Sequence, residues 1–251
     1  MNSDIVDLRQ FYHSRLGLLA QEAIAMALAS LWTELPGERL MGLGYAAPYL
    51  DRFRADAERT FAFMPAAQGA VNWPVHEASA TALVFDEELP LPDAALDRVL
   101  MIHVLEFAEN PRETLMEAWR VLAPGGRLLI VVPNRRGVWA RFDHTPFGSG
   151  TPYTRNQLTG LLREASFTPG AVAEALFFPP SRHKAIQSMA RTTERLGRRY
   201  WPILSGLIIV EAQKRLYQGL PVAERASRRV FVPALATQGA SRATRRRDPG
   251  F

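Results

Sequence analysis

Apolar residues recur at helical spacing from the start of the chain: Ile5, Leu8, Tyr12, Leu16 and Leu19, then Ile24, Leu28 and Leu31. Positions three or four apart share one face of a helix. They predict a long helical segment over residues 4–34, broken near Gly17 and ended by Pro36-Gly37. The period then changes. Short apolar runs predict strands at 39–42, 60–64, 81–85, 98–102, 127–132, 171–178 and 206–212. Helical patterns over 47–54, 111–122, 154–165 and 183–199 alternate with them, and Thr154 is the expected N-cap of the third. The runs at 98–102 and 127–132 have no polar face, as strands covered on both sides require. Pro124-Gly125-Gly126 is expected to stop the second of these helices and turn the chain into the next strand.

Strands that alternate with helices across short turns predict an α/β fold: a doubly wound, mostly parallel sheet behind an N-terminal helical extension. Three regions are expected: an extension or lid at 1–37, a main domain at 38–218, and a tail at 219–251. The tail loses all periodicity, and its arginine, alanine, proline and glycine content predicts disorder.

Composition narrows the picture in three places. The 251 residues are 47% hydrophobic and 22% charged, which suits one globular domain with extensions. There is no cysteine, which rules out disulfides, thiolate metal sites and a cysteine nucleophile. The net charge of +5 resides in the tail, where seven arginines face Glu224 and Asp248; seven less two leaves +5. Nucleic acid is therefore an expected partner only through that tail. The most apolar stretch, 16–35, carries Gln21, Glu22 and Glu34, so no membrane span is expected and the chain reads as cytoplasmic. No metal-ligand spacing is present, and no metal is expected.

The candidate chemistry gathers at predicted strand ends. Gly42-Leu43-Gly44-Tyr45 follows the first strand as a glycine turn into a helix, a place where a ligand can approach the main chain. Cofactors in such sheets lie beyond the carboxyl ends of the strands, beside strand one. Asp86 and Glu87 follow the third strand and His103 the fourth. The long loop over 133–153 holds Arg135, Arg136, Trp139, Asp143 and His144, and loops of that length in a compact domain are usually functional.

Three blocks resemble class I S-adenosylmethionine-dependent methyltransferases of the small-molecule type. They are the turn Leu40-Met41-Gly42-Leu43-Gly44-Tyr45-Ala46, the segment from Asp86-Glu87-Glu88-Leu89-Pro90 to Asp97-Arg98-Val99, and the run His103-Val104-Leu105-Glu106 with Arg120-Val121-Leu122-Ala123-Pro124-Gly125-Gly126. The resemblance covers roughly residues 39–214. It implies seven strands with the last antiparallel, and S-adenosyl-L-methionine as cofactor. It implies cofactor contacts from Gly42, Leu43, Gly44, Tyr45, Asp86, Glu87 and His103. It also implies methyl transfer to an unidentified small acceptor.

The chain departs from the family pattern at three points. Leu40 stands where an acid is usual, Ala46 replaces a third glycine, and no acid follows strand two, where Gln68 and Asn72 are neutral substitutes. A member without catalysis, acting as a binding or scaffold protein, is the alternative these departures leave open. His103 and His144 are the candidate bases. Tyr12, Arg135, Arg136 and Trp139 are the candidate substrate residues.

Overall fold

The computed structural model describes residues 4–200 and 204–216. Seven strands form one sheet: β1 (Arg39–Gly44), β2 (Arg59–Pro65), β3 (Thr81–Val84), β4 (Leu96–Ile102), β5 (Leu122–Pro133), β6 (Phe167–Ala175) and β7 (Leu207–Lys214). Their order is β3-β2-β1-β4-β5-β7-β6. β1 to β5 pair in parallel, and β7 runs antiparallel between β5 and β6. The predicted sheet class and the antiparallel last strand are therefore present. β1 lies between β2 and β4, so the chain reverses its winding there and a crevice opens at the strand ends.

Successive side chains of a strand point to opposite faces, and the apolar runs divide accordingly. Leu40, Leu100, Ile102, Leu129, Val131 and Ile209 enter one core; Met41, Val99, Met101, Leu128, Ile130 and Val210 enter the other. Helices α1 (Ile5–His13), α2 (Arg15–Leu31) and α3 (Ala47–Leu50) cover the first face. Helices α4 (Pro111–Val121) and α5 (Arg155–Glu164) cover the second. Helices α6 (Lys184–Ser188) and α7 (Ala190–Tyr200) lie outside α2 and β6. The described residues form one compact unit, and Ala20, Ile24 and Leu28 of α2 are fully enclosed in its core. The expected tail at 219–251 lies outside the described residues.

Several boundaries differ from the sequence pattern for local reasons. The N-terminal helix breaks at Ser14, not Gly17. Ser14 is extended and its hydroxyl caps the Gly17 N–H at 3.0 Å. Gly17 is a helical residue where a Cβ would lie 1.9 Å from the Phe11 carbonyl oxygen, so close passage of α1 demands the glycine. Pro124-Gly125-Gly126 does not cap α4. Leu122 is already extended and paired with Leu96, and the Lys214 ammonium donates to the Leu122 and Arg120 carbonyls, at 2.6 and 3.4 Å. The Pro-Gly-Gly run bends the start of β5, with Gly125 at φ +82° and a register shift opposite Leu96 and Arg98. Thr154 does cap α5, in a reciprocal box with Gln157. The single helix expected over 183–199 is two, divided at Met189.

At the amino ends of the strands Arg39 holds Asp97 through two side-chain hydrogen bonds of 2.9 and 3.1 Å, locking β1 to β4. The Arg39 guanidinium keeps the Asp97 carboxyl below its ordinary pKa. The candidate chemistry lies at the opposite ends.

Candidate active site

The glycine turn is stitched to the end of β4. The Tyr45 N–H donates to the Ile102 carbonyl at 2.9 Å. Gly44 sits at φ +78°, where a Cβ would lie 2.3 Å from both the Ile102 oxygen and Val104 Cγ2. Gly42 faces α3, and its Cβ would meet Ala46 Cβ and Leu50 Cδ1 at 2.8 Å. Both glycines are required by close packing between chain segments.

His103 follows β4 in the left-handed region, at φ 56°, and is 1% exposed. A non-glycine residue there stores strain of about 1–3 kcal/mol and needs its surroundings to hold it. Three neighbours do so. Gln68 Nε2 donates to the His103 carbonyl at 2.6 Å. Glu106 Oε1 lies 2.9 Å from His103 Nδ1, and the Tyr12 hydroxyl lies 2.9 Å from Nε2. The Tyr49 hydroxyl donates to Tyr12 in turn, at 3.4 Å. One tautomer satisfies the chain: Nδ1–H donates to the carboxylate and Nε2 accepts from Tyr12.

Burial raises the Tyr12 pKa well above its ordinary value, and raises those of Tyr49 and Tyr45 as well, so these phenols keep their protons. The Tyr12 ring stacks on Tyr45 with centroids 5.1 Å apart. It therefore spans the space between the glycine turn and His103. α1 is held in place by its own end: the Ile5 N–H donates to the Gln68 carbonyl at 2.8 Å.

A cavity of about 260 Å³ opens beside His103. Its walls come from the ends of three strands: Ala67 and Gln68 after β2, Asp86 and Glu87 after β3, and His103 and Phe107 after β4. Around His103 two buried oxygens have no partner among the described residues: Gln68 Oε1, on a residue of the cavity wall, and Glu106 Oε2, on a residue that does not line it. An unpaired buried acceptor costs about 1–3 kcal/mol, so it marks a place where a donor is wanted. Asp86 Oδ2 accepts from the Thr114 hydroxyl at 2.8 Å, which fixes that carboxylate at the cavity wall.

The structure thus brings Gln68, Asp86, Glu87 and His103 to one cavity. Gly42, Leu43, Gly44 and Tyr45 do not line it: Tyr45 stacks on Tyr12, Leu43 enters the core on the opposite face, Gly42 packs against α3 and Gly44 against the end of β4. A second cavity of about 590 Å³ lies between the α1–α2 junction and residues 143–149. Asp143 and His144 line it together with Phe11, Arg15, Arg182 and Gln187, and His144 Nε2 is 3.0 Å from the Pro180 carbonyl. Phe147 joins the two sites, packing 5.0 Å from the His103 ring and 5.8 Å from Phe11. Among the described residues no group of side chains has a metal-ligating arrangement.

Three expected substrate residues are elsewhere. Arg135 donates twice to the Pro152 carbonyl, Arg136 is exposed, and neither lines either of these two cavities. Trp139 is fully enclosed, with its indole N–H on the Phe178 carbonyl at 2.6 Å, and it buttresses Phe147. Sequence reasoning missed Glu106 and Phe147 as neighbours of His103, and Tyr49 and Phe11 as neighbours of Tyr12. Glu106 alone had a local signal, three residues beyond the histidine.

The family model described as a methyltransferase domain matches residues 28–130, a stretch that includes the glycine turn, Gln68, Asp86 and His103. A curated relative from Mycolicibacterium smegmatis, with a name denoting an S-adenosylmethionine-dependent methyltransferase, is 39% identical over 32% of this chain and 32% of its own length. The demethylmenaquinone methyltransferase of Thermus thermophilus is 30% identical over 62% of this chain and 64% of its own. The chain thus spans about a third and under two thirds of these relatives. Among solved structures, an S-adenosylmethionine-dependent methyltransferase from Thermotoga maritima aligns with TM-score 0.59 at 18% identity, over 84% of this chain and 96% of the other. The methyltransferase in complex with the Haloferax volcanii activator Trm112 aligns with TM-score 0.60 at 16% identity, over 84% and 98%. These likenesses show a shared fold.

Proposed function

We propose that this chain, which carries a class I S-adenosylmethionine-dependent methyltransferase domain, transfers a methyl group to a small-molecule acceptor. The observation that carries the reading is His103, buried at the end of β4, bonded at both ring nitrogens and lining the 260 Å³ cavity with Gln68, whose Oε1 has no partner among the described residues.

The residues present fit part of the cofactor well. Gln68 Oε1 is an acceptor in want of a donor, which a ribose hydroxyl or an ammonium supplies. Asp86 and Glu87 offer carboxylate acceptors for an exocyclic amine, and Phe107 and Val84 offer apolar walls for a base. S-adenosylmethionine supplies, when bound, a methyl group on a positively charged sulfur.

What the chain must add is alignment, dryness and, for a protonated acceptor, a base. His103 holds the unprotonated nitrogen, and Tyr12 is the group bonded to it. Tyr12 lines neither cavity, so a protonated acceptor reaches Nε2 only where the Tyr12 hydroxyl gives way to it. Glu106 then faces an imidazolium at 2.9 Å, an attraction strengthened by burial. Phe147 and Phe11 stand between His103 and the 590 Å³ cavity, which we assign to the acceptor with His144 at its wall, so these rings must part before the acceptor meets the methyl group.

Calorimetry with S-adenosylmethionine and its demethylated product, followed by labelled methyl transfer to a metabolite mixture, tests the reading. Binding of both and transfer are expected; absence of binding overturns it.

A second reading, a methyltransferase-like binding protein without catalysis, draws on one observation: the Tyr12 ring covers the glycine turn. In that case Tyr12→Ala, and not the unaltered chain, binds the cofactor.

A further inference from the structure

Helices α6 and α7 carry an outward face that the site chemistry does not use. Between residues 182 and 200 there are six arginines and lysines and one acid, Glu194. That acid is turned inward: it is 2% exposed and accepts the Leu176 and Phe177 N–H groups at 3.1 and 2.7 Å. Arg191 pairs with Glu22 and Arg198 with Glu194, at 2.9 and 3.7 Å. Arg182, Lys184, Arg195 and Arg199 make no ion pair among the described residues.

Large apolar side chains stand exposed among these cations. Met189 is 64% exposed, Tyr200 61% and Leu196 46%, with Ile186 at 40%. On α7 the buried positions Ala190, Glu194 and Gly197 form one face. At 3.6 residues per turn, Leu196 and Tyr200 lie one above the other on the outer side, beside Arg195 and Arg199, which are stacked the same way. Exposed apolar and cationic residues in alternate rows suit an interface that is apolar below and anionic above. A nucleic acid would match the charge but leave the apolar row unused.

We propose that the outer face of α6 and α7 docks on an anionic lipid surface. The cations meet phosphate headgroups, and Met189, Leu196 and Tyr200 enter the boundary below them. Arg182 and Gln187 also line the 590 Å³ cavity, so docking brings its mouth to the lipid surface. The docking does not depend on the methyl-transfer reading.

The test is sedimentation of the full chain with phosphatidylcholine vesicles, plain or with about one quarter phosphatidylglycerol. Binding to the anionic vesicles and not to the plain ones is expected. The tail arginines can attract such vesicles by charge alone, so the deciding variant is Met189→Ser with Leu196→Ser, which leaves every charge in place. At least about tenfold weaker binding is expected, with an unchanged unfolding midpoint because both sites are exposed. Separately, Leu196→Trp should show blue-shifted emission on the anionic vesicles. Full binding by the double serine variant, an unshifted tryptophan, or no binding by the unaltered chain overturns the proposal. Equal binding of a short RNA by the unaltered chain and the serine variant, together with any of these, assigns the face to nucleic acid.

Discussion

The Tyr12 hydroxyl donates to His103 Nε2 at 2.9 Å although 91 residues separate them. The bond joins the first helix to the end of the fourth strand, and everything proposed for the site passes through it. Tyr12→Phe removes the donor and leaves a buried nitrogen unpaired. A loss of about 1–2 kcal/mol of stability is expected in denaturant titration, together with slower methyl transfer. Unchanged stability and rate would show that the bond is incidental.

Glu106→Gln keeps a hydrogen-bond acceptor for His103 Nδ1 and removes the charge that faces the imidazolium. The expected result is kcat lower by about tenfold to a hundredfold, with KM for the cofactor little changed. A rise in KM with unaltered kcat would place Glu106 in binding instead.

Gln68→Leu removes, from a residue of the cavity wall, an oxygen without a partner among the described residues and also the donor to the His103 carbonyl. Cofactor affinity is expected to fall by about tenfold, close to the worth of one hydrogen bond with its desolvation. Calorimetry reads the change directly, and equal affinity would argue that the cofactor does not contact this side chain.

Gly44→Ala should destabilise the chain more than Gly42→Ala. At Gly44 the added carbon meets backbone oxygen at 2.3 Å in a left-handed conformation, whereas at Gly42 it meets the movable end of Leu50 and the fixed Cβ of Ala46, both at 2.8 Å. About 2–4 kcal/mol is expected for the first and less for the second. The reverse order in chemical unfolding would contradict the packing described.

The tyrosine cluster gives a pH signature. Tyr12, Tyr45, Tyr49 and Tyr153 all have pKa values raised by burial, and that of Tyr153 is pushed up from 10.0 to about 12. A raised folded-state pKa means stability that is fully present below the unfolded value and lost as pH rises through the folded one. The fold should therefore hold up to pH 10 and weaken between 10 and 12. Phenolate absorbance followed alongside circular dichroism checks this: early ionisation of most tyrosines without loss of structure would refute it.

The sheet was legible in the amino-acid pattern. Apolar runs with no polar face at 98–102 and 127–132 can be buried only between two layers, and their alternation with helical stripes leaves a doubly wound arrangement. Those signals are local, since each depends on a period within a few residues. Asp86 and His103 could be placed at one cavity for the same reason, because strand ends in this arrangement are where ligands sit, whereas the glycine turn lies at a strand end but does not line that cavity.

Tertiary structure alone decided what surrounds them. Tyr12 meets His103, Gln68 reaches its carbonyl, Phe147 closes against it, and Trp139 turns out to be core because Phe178 offers its indole a carbonyl. The Pro-Gly-Gly run bends a strand instead of ending a helix because Lys214, on β7, takes the helix's last carbonyls. Each of these partners lies far along the chain, and no short-range period encodes which distant side chain will satisfy a buried polar group. That choice is made by packing, when the only available donor or acceptor is the one the folded layers bring within reach.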